Sequence, residues 1–316
     1  MGQAPSPLSV RGLFPVRKET GRALVLSDVV DLLACPQCGA GLELDENTLL
    51  CDAGHSFDVA RQGYVSLMTG AGGKFDGDSP DMIAARADFL AGGSFDPLMD
   101  AVADAVRVTA DAVRVAADAV RAADDPEPAI LEIGAGTGHY LARVLDAVPT
   151  ARGIGLDVSK YAARRIAKAH PRAGAVVADV WHHLPVRDGV LSHVLCVFAP
   201  RNADEAHRVL GDGGALVVLT PTERHLAELV DLLGMVRVDD RKVERLGAAM
   251  SGRFDRTDLR DVEYPMSLTH DDLTRLVGMG PSARHLTPER LATSIADLPR
   301  AYPVTASVTV STYRRR

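Results

Sequence analysis

Three of the four cysteines stand with one histidine in a short stretch, CPQCGAGLELDENTLLCDAGH, running from Cys35 to His55. Two residues separate Cys35 from Cys38, twelve more lead to Cys51, and three more to His55. Three thiolates and an imidazole at this spacing suit one tetrahedral Zn²⁺. Gly39 and Gly54 give the backbone the tight path that such knuckles need. Three cysteines cannot pair evenly as disulfides, so metal ligation by Cys35, Cys38, Cys51 and His55 is the expectation. The fourth cysteine, Cys196, stands alone far downstream. Reduced thiols and no export signal imply a cytoplasmic protein.

A second chemical signal is the run Leu131-Glu132-Ile133-Gly134-Ala135-Gly136-Thr137-Gly138, a glycine-rich turn between an apolar strand and a helix. Gly134, Gly136 and Gly138 let the backbone approach a nucleotide-like ligand. Alone this pattern also fits a dinucleotide. Acidic residues at successive strand ends narrow the choice. Glu132 precedes the first glycine by two, Asp157 closes the next strand in GLDVSK beside Val158, and Asp179 closes the third in VVADV. Asp157 could accept from a ribose diol and Asp179 from an adenine amino group, with the Val180 N–H on the ring. The set resembles the S-adenosylmethionine (SAM) site of a class I methyltransferase. The fourth strand ends Phe198-Ala199-Pro200-Arg201, where amino-methylating enzymes often carry an Asp/Asn-Pro-Pro-aromatic grip on a planar amine. Phe198 offers a stacking face, the carbonyls of Phe198 and Ala199 can hold an N–H, and Pro200 fixes the turn. His182, His183, Glu223 and His225 are the groups near these strand ends that could take a proton.

The elements that must carry these residues follow from the pattern. The chain has 316 residues, 47% of them hydrophobic, which is enough for a large core and two domains. No apolar run approaches the roughly 20 residues that span a bilayer, so no membrane partner is expected. We divide the chain into a flexible tail (1–28), a zinc-binding domain (29–70), a linker and helical segment (71–128), and a methyltransferase domain (129–316). The helical segment contains ADAVRVT, ADAVRVA and ADAVRAA, a period-seven repeat that puts Val106, Val113 and Val120 on one stripe. An ordinary amphipathic helix explains that stripe better than a dimeric coiled coil. From Ala129 onward short apolar strands alternate with helices, which predicts a doubly wound α/β sheet; two late strands make it a mixed, seven-stranded sheet of the class I methyltransferase kind.

The zinc module, the SAM sheet and the segments FDVARQGYV, GDSPDMIAARADFL, ADVWHHLP, VFAPRN and TPTERHLAELV together resemble the 23S rRNA (guanine-N1)-methyltransferases, closest to the branch of the tylosin- and mycinamicin-resistance enzymes. That resemblance spans about Val29 to Tyr313. It implies an enzyme that uses SAM and Zn²⁺ and methylates N1 of a guanine in a 23S rRNA hairpin loop. It also implies macrolide resistance, an RNA-recognising zinc domain and dimerisation. Tyr64, Arg86 and Arg201 are then candidate RNA contacts, with Trp181 a further stacking surface, and Phe198, Ala199, Pro200 and His225 the candidate catalytic set. The chain departs in its long amino-terminal tail, its heptad-like repeat and its net charge of −7, where an RNA binder is usually basic. A small-molecule methyltransferase recruited from this family, and a non-catalytic protein that binds zinc and RNA, are the other readings of the same residues.

Overall fold

The computed structural model describes residues 23–68, 77–120, 127–233 and 250–316. A small ribbon comes first. Its strands β1 (Glu43–Asp45), β2 (Thr48–Leu50) and β3 (Ser56–Asp58) form an antiparallel sheet in the order β1-β2-β3. A short helix α1 (Ala23–Ser27) precedes it, so the expected tail becomes ordered structure before residue 28, with Leu26 buried. The first 22 residues lie outside the described ones.

The main sheet contains β4 (Tyr64–Ser66), β5 (Ala129–Ile133), β6 (Arg152–Asp157), β7 (Ala173–Val177), β8 (Leu191–Val197), β9 (Leu210–Pro221), β10 (Phe254–Leu268) and β11 (Tyr302–Arg315). Their spatial order is β10-β11-β9-β8-β5-β6-β7-β4. Only β11 runs against its neighbours, pairing antiparallel with both β9 and β10. This is the expected mixed sheet with eight strands rather than seven. The eighth is β4, contributed by the segment assigned to the zinc domain, and it pairs parallel with β7 from Tyr64↔Ala175 to Ser66↔Val177.

The inner strands β5 and β7 are buried at every position. Such continuous apolar runs are what a parallel sheet covered on both faces demands. Helices α2 (Pro80–Ala91), α3 (Asp96–Val120), α4 (His139–Ala147), α5 (Lys160–Ala169), α6 (Ala203–Val209), α7 (Ala227–Leu233), α8 (His270–Gly278) and α9 (Pro288–Ala296) surround the sheet. The Gly92-Gly93 pair, with Gly93 at φ +80°, separates α2 from α3 in what the sequence read as one helical stretch. Val106 of the repeat is fully buried in the core with Ile130, Leu195 and Val217, as an amphipathic helix requires. Arg107 lies 3.1 Å from Asp104 and 3.8 Å from Asp111 along the exposed face. For Val113 and Val120 only the backbone path is described.

The ribbon is fastened to the sheet by more than β4. The Leu67 N–H donates to the Val177 carbonyl, and the Ala34 N–H to that of Pro185. Arg152 on β6 makes a two-pronged contact with Asp31, at 2.6 and 2.8 Å. Gly174 on β7 leaves the space that Val29 fills: a Cβ there would stand 2.5 Å from Val29 Cγ2.

Candidate active site and metal centre

Each metal ligand is set by a turn. The Gly39 N–H donates to the Cys35 carbonyl and the Gly54 N–H to that of Cys51, closing two knuckles. Cys35 Sγ lies 3.5 Å from His55 Nδ1, Cys51 Sγ 3.4 Å from the same nitrogen, and Cys38 Sγ 3.7 Å from Cys51 Sγ. A tetrahedron with Zn–S bonds of about 2.3 Å has edges of about 3.7 Å, so these separations are those of a closed four-ligand zinc site. All four ligand atoms lie within 4.8 Å of one another. Burial raises the Cys51 thiol, but the backbone N–H groups of His55 and Ala53, together with the His55 and Cys38 side chains, bring it down to about 7, favouring the thiolate that a metal needs. Cys196 is sealed in the core, and burial pushes its thiol up to about 12. It takes no part.

The glycine turn joins β5 to α4. Gly134 and Gly136 have φ of +67° and +55°. A Cβ on Gly134 would stand 2.8 Å from that of Ala199, so the glycine lets the Phe198–Pro200 turn close against β5. Asp157 Oδ2 accepts the Gly136 N–H at 2.9 Å and Oδ1 accepts the Ser159 N–H at 2.8 Å. Burial raises this carboxyl despite those bonds, and each oxygen keeps a further lone pair for a ligand hydroxyl. Asp179 is buried; Oδ1 accepts the Trp181 N–H at 2.9 Å and Oδ2 lies 3.0 Å from His182 Nδ1. Val158 is half-buried beside Asp157, and Val180 is buried with its carbonyl accepting from Asn202. Glu132 is the innermost of the three acids. Its Oε2 accepts the Leu141 N–H at 3.0 Å, and burial pushes its carboxyl up to about 8. It therefore anchors α4 to the strand as a neutral acid.

The Gly134–Gly138 turn, Asp157 and Asp179 lie at the carboxyl ends of neighbouring strands β5, β6 and β7, while Phe198 follows β8. The chain reverses its direction of strand addition between β5 and β8, which is where open α/β sheets take ligands. The residues fit the adenosyl donor: a turn with glycine at Gly134, Gly136 and Gly138, its Ala135 and Thr137 side chains buried, and two carboxylates with spare acceptor sites.

Phe198 is 42% exposed, and its φ of +51° is strained for a non-glycine residue. Its ring stacks 6.4 Å from Phe95 at 27°, and lies 5.4 Å from His225 at 31°. Phe95 and His225 are themselves 6.0 Å apart. The sequence pointed to Phe198 and His225 separately; Phe95, which completes their wall, carried no signal beyond its hydrophobicity.

Other candidates fall elsewhere. Tyr64 is corrected: it is 8% exposed, packed with Ala163, Ile166 and Ala175 under α5, and presents no stacking face. Arg86 lies over the glycine turn. Its Nη1 is 2.6 Å from Asp78, its Nη2 donates to the Met279 carbonyl, and Nη1 would stand 2.9 Å from a Cβ on Gly136. Arg201 is half-buried beyond Pro200, and its Nε is sealed without a hydrogen-bond partner among the described residues. Trp181 is 54% exposed. His183 lies 3.4 Å from Glu205, and Glu223 is exposed.

Two family descriptions match the chain: "RlmA, N-terminal" over residues 33–69, and "Methyltransferase domain" over residues 130–214. The chain is 46% identical over 287 residues to the 23S rRNA (guanine(748)-N(1))-methyltransferase of Streptomyces fradiae, covering 91% of this chain and 98% of that one. A protein of Micromonospora griseorubida assigned to the same guanine-N1 class is 46% identical over 291 residues, with the same two coverages, 91% and 98%. One from Bacillus subtilis (strain 168), of the same assignment, is 30% identical over 208 residues, covering 64% of this chain and 68% of that one.

Proposed function

We propose, from the premise that this chain belongs to the family of 23S rRNA (guanine-N1)-methyltransferases, that it methylates N1 of a guanine held in a hairpin loop of 23S rRNA, acts in the cytoplasm, and confers macrolide resistance by doing so. The observation that carries the reading is the strained, exposed Phe198 ring standing one strand end away from the glycine turn and its two acids. An exposed aromatic at that place is a platform for a base taken out of its stack. Base–aromatic stacking is worth about 1–3 kcal/mol, comparable to the few kcal/mol that unstacking a loop base costs. A loop guanine, already unpaired, is the cheapest to extract and the kind of target proteins read in RNA.

SAM, when bound, supplies an electrophilic methyl group on a sulfonium. The chain's own work is orientation. Asp157 and the Gly134–Gly138 turn would hold the donor and Asp179 and Val180 its adenine end, with Arg86 standing over Gly136 of that turn. Phe198, backed by the buried Phe95, fixes the plane of the acceptor, and the Phe198 and Ala199 carbonyls accept from its exocyclic N–H groups. Catalysis by positioning and exclusion of water is what an in-line displacement needs. The half-buried guanidinium of Arg201 beyond Pro200 suits an RNA phosphate. Among the described residues no helix is long and apolar enough to cross a membrane. The zinc ribbon, set at the β7 side of the sheet, grips the loop that carries the base. Strand β10 is one of the two outer strands of the sheet, is exposed from Asp255 to Asp261, and is the edge to which a second copy adds.

The test is incubation of purified protein with radiolabelled SAM and unmodified 23S rRNA, with primer extension to locate the product, since N1-methylguanine blocks reverse transcription. A stop at a hairpin-loop guanine, dependent on SAM, is the expected result. Labelling of small molecules but no RNA would move the chain to the biosynthetic reading, and SAM binding without turnover on either would make it a binding protein.

A further inference from the structure

We propose that His225 is a catalytic hydrogen-bond donor, its Nε2–H directed to O6 of the target guanine, rather than the base that removes the N1 proton. This rests on the reading above that guanine N1 is the acceptor. Four observations carry it. First, the tautomer is set: the Ser307 backbone N–H donates to His225 Nδ1 at 3.2 Å, so the neutral ring carries its hydrogen on Nε2. Second, the ring is held firmly. Ser307 Oγ lies 2.6 Å from Thr222 Oγ1 and donates to Glu263 at 2.9 Å, and the His225 N–H donates to the Thr222 carbonyl. Third, of the two rings that touch Phe198, only His225 carries a hydrogen-bonding nitrogen. Its Nε2 makes no hydrogen bond among the described residues, and it is not sealed from solvent. Fourth, backbone strain concentrates here: of the three non-glycine residues with positive φ among the described residues, one is Phe198 and one is Leu226, directly after His225. Strain of this kind persists where surrounding structure over-determines a side chain's aim.

The chemistry suits a donor. In the reaction guanine N1 forms a bond to the methyl carbon, the carbon–sulfur bond breaks with its electron pair going to sulfur, and the N1 proton leaves to water. As that proton departs, negative charge gathers on O6. A fixed N–H aimed at O6 stabilises that charge more strongly in the transition state than in the ground state, as an oxyanion donor does. Burial brings the imidazole down to about 4, so the ring stays neutral at physiological pH and keeps its single donor.

Two substitutions separate the roles by geometry. His225→Gln places an amide N–H near the position of Nε2 but cannot act as a base. His225→Asn places an amide near Nδ1, restoring the bond from Ser307 while losing the donor. Single-turnover methylation of the rRNA should stay within about tenfold of the parent for His225→Gln and fall about 10²–10³-fold for His225→Asn, with SAM affinity unchanged in both. The ¹⁵N spectrum of the parent, with the resonance assigned by its absence in His225→Gln, should show a protonated Nε2 and a bare Nδ1. Glutamine as inactive as asparagine, asparagine retaining the activity, or a protonated Nδ1 would each overturn the proposal while leaving the guanine reading intact. A parent enzyme that methylates no guanine would sink both.

Discussion

Removing the zinc should weaken a site on the far side of a domain boundary that the sequence drew at residue 70. Strand β4 is held in the main sheet by the ribbon on its amino-terminal side. Val65 and Leu67 are almost fully buried in the cluster that joins Leu26, Val29 and Leu49 to Val176, and Tyr64, 8% exposed, packs on the other face under α5. Each contributes about 2 kcal/mol by burial, so about 6 kcal/mol of the sheet's stability depends on β4 staying in place. A ribbon with so small a core folds only with its metal. Domains of this size have about 5–15 kcal/mol in all, and each kcal/mol moves the melting temperature about 2–4 °C. Stripping the metal should therefore lower the main transition by about 12–24 °C. SAM affinity should fall at least about tenfold, because Asp179 stands two residues beyond the β7 strand that β4 covers. The assay is chelation with a chromophoric indicator reporting release, followed by thermal circular dichroism and titration calorimetry with SAM. If one equivalent of zinc leaves and both the melting temperature and the SAM Kd stay put, the ribbon is an independent bead and the argument fails.

Other substitutions probe the cradle. Gly134→Ala and Gly136→Ala both force alanine into a left-handed conformation, costing about 1–2 kcal/mol. Only Gly134→Ala also meets a rigid neighbour, the Ala199 Cβ at 2.8 Å, whereas Gly136→Ala meets the movable end of Arg86. Urea unfolding should show Gly134→Ala the worse by about 1–3 kcal/mol, and equal losses would contradict the packing argument. Glu132 is raised in the fold to about 8, so its contribution is complete below the unfolded value near 4.5 and is lost as pH climbs through 8. Glu132→Gln keeps an acceptor for the Leu141 N–H and should flatten the fall in stability between pH 5 and 8; an unchanged slope would mean that Glu132 is ionised. Arg86→Met removes the guanidinium over Gly136 and should raise the SAM Kd about tenfold with little change in RNA affinity. The opposite pattern would return Arg86 to the RNA face where the sequence placed it.

Local chemistry was legible in the sequence because its geometry is local. A Cys-x2-Cys knuckle and a glycine turn each close within a few residues, so spacing alone states which atoms converge. The strand-end acids could be read for a related reason: the end of a parallel strand is marked by the change from apolar run to turn. What escaped is non-local. Tyr64 sits in a segment that looks like a ribbon's own small core, yet its strand pairs with Ala175, more than a hundred residues away, and the ring is covered by α5. Nothing in the period of residues 64–66 distinguishes those two partners. Arg86 is one arginine among many until Asp78 and the Met279 carbonyl fix it over Gly136. His225 read as a proton acceptor because histidines usually are, and only its bond from Ser307 reveals which nitrogen is free.

A strand shared between ribbon and sheet also sets a length. Because β4 hydrogen-bonds directly to β7, the separation between the metal knuckles and Phe198 is fixed by sheet geometry and not by a tether. On the function proposed above, the protein would work as a caliper: an RNA loop gripped by the knuckles would deliver to Phe198 only the nucleotide at one set distance along its arc. Lengthening or shortening the loop by a nucleotide would shift which base arrives, without altering a single contact at either jaw.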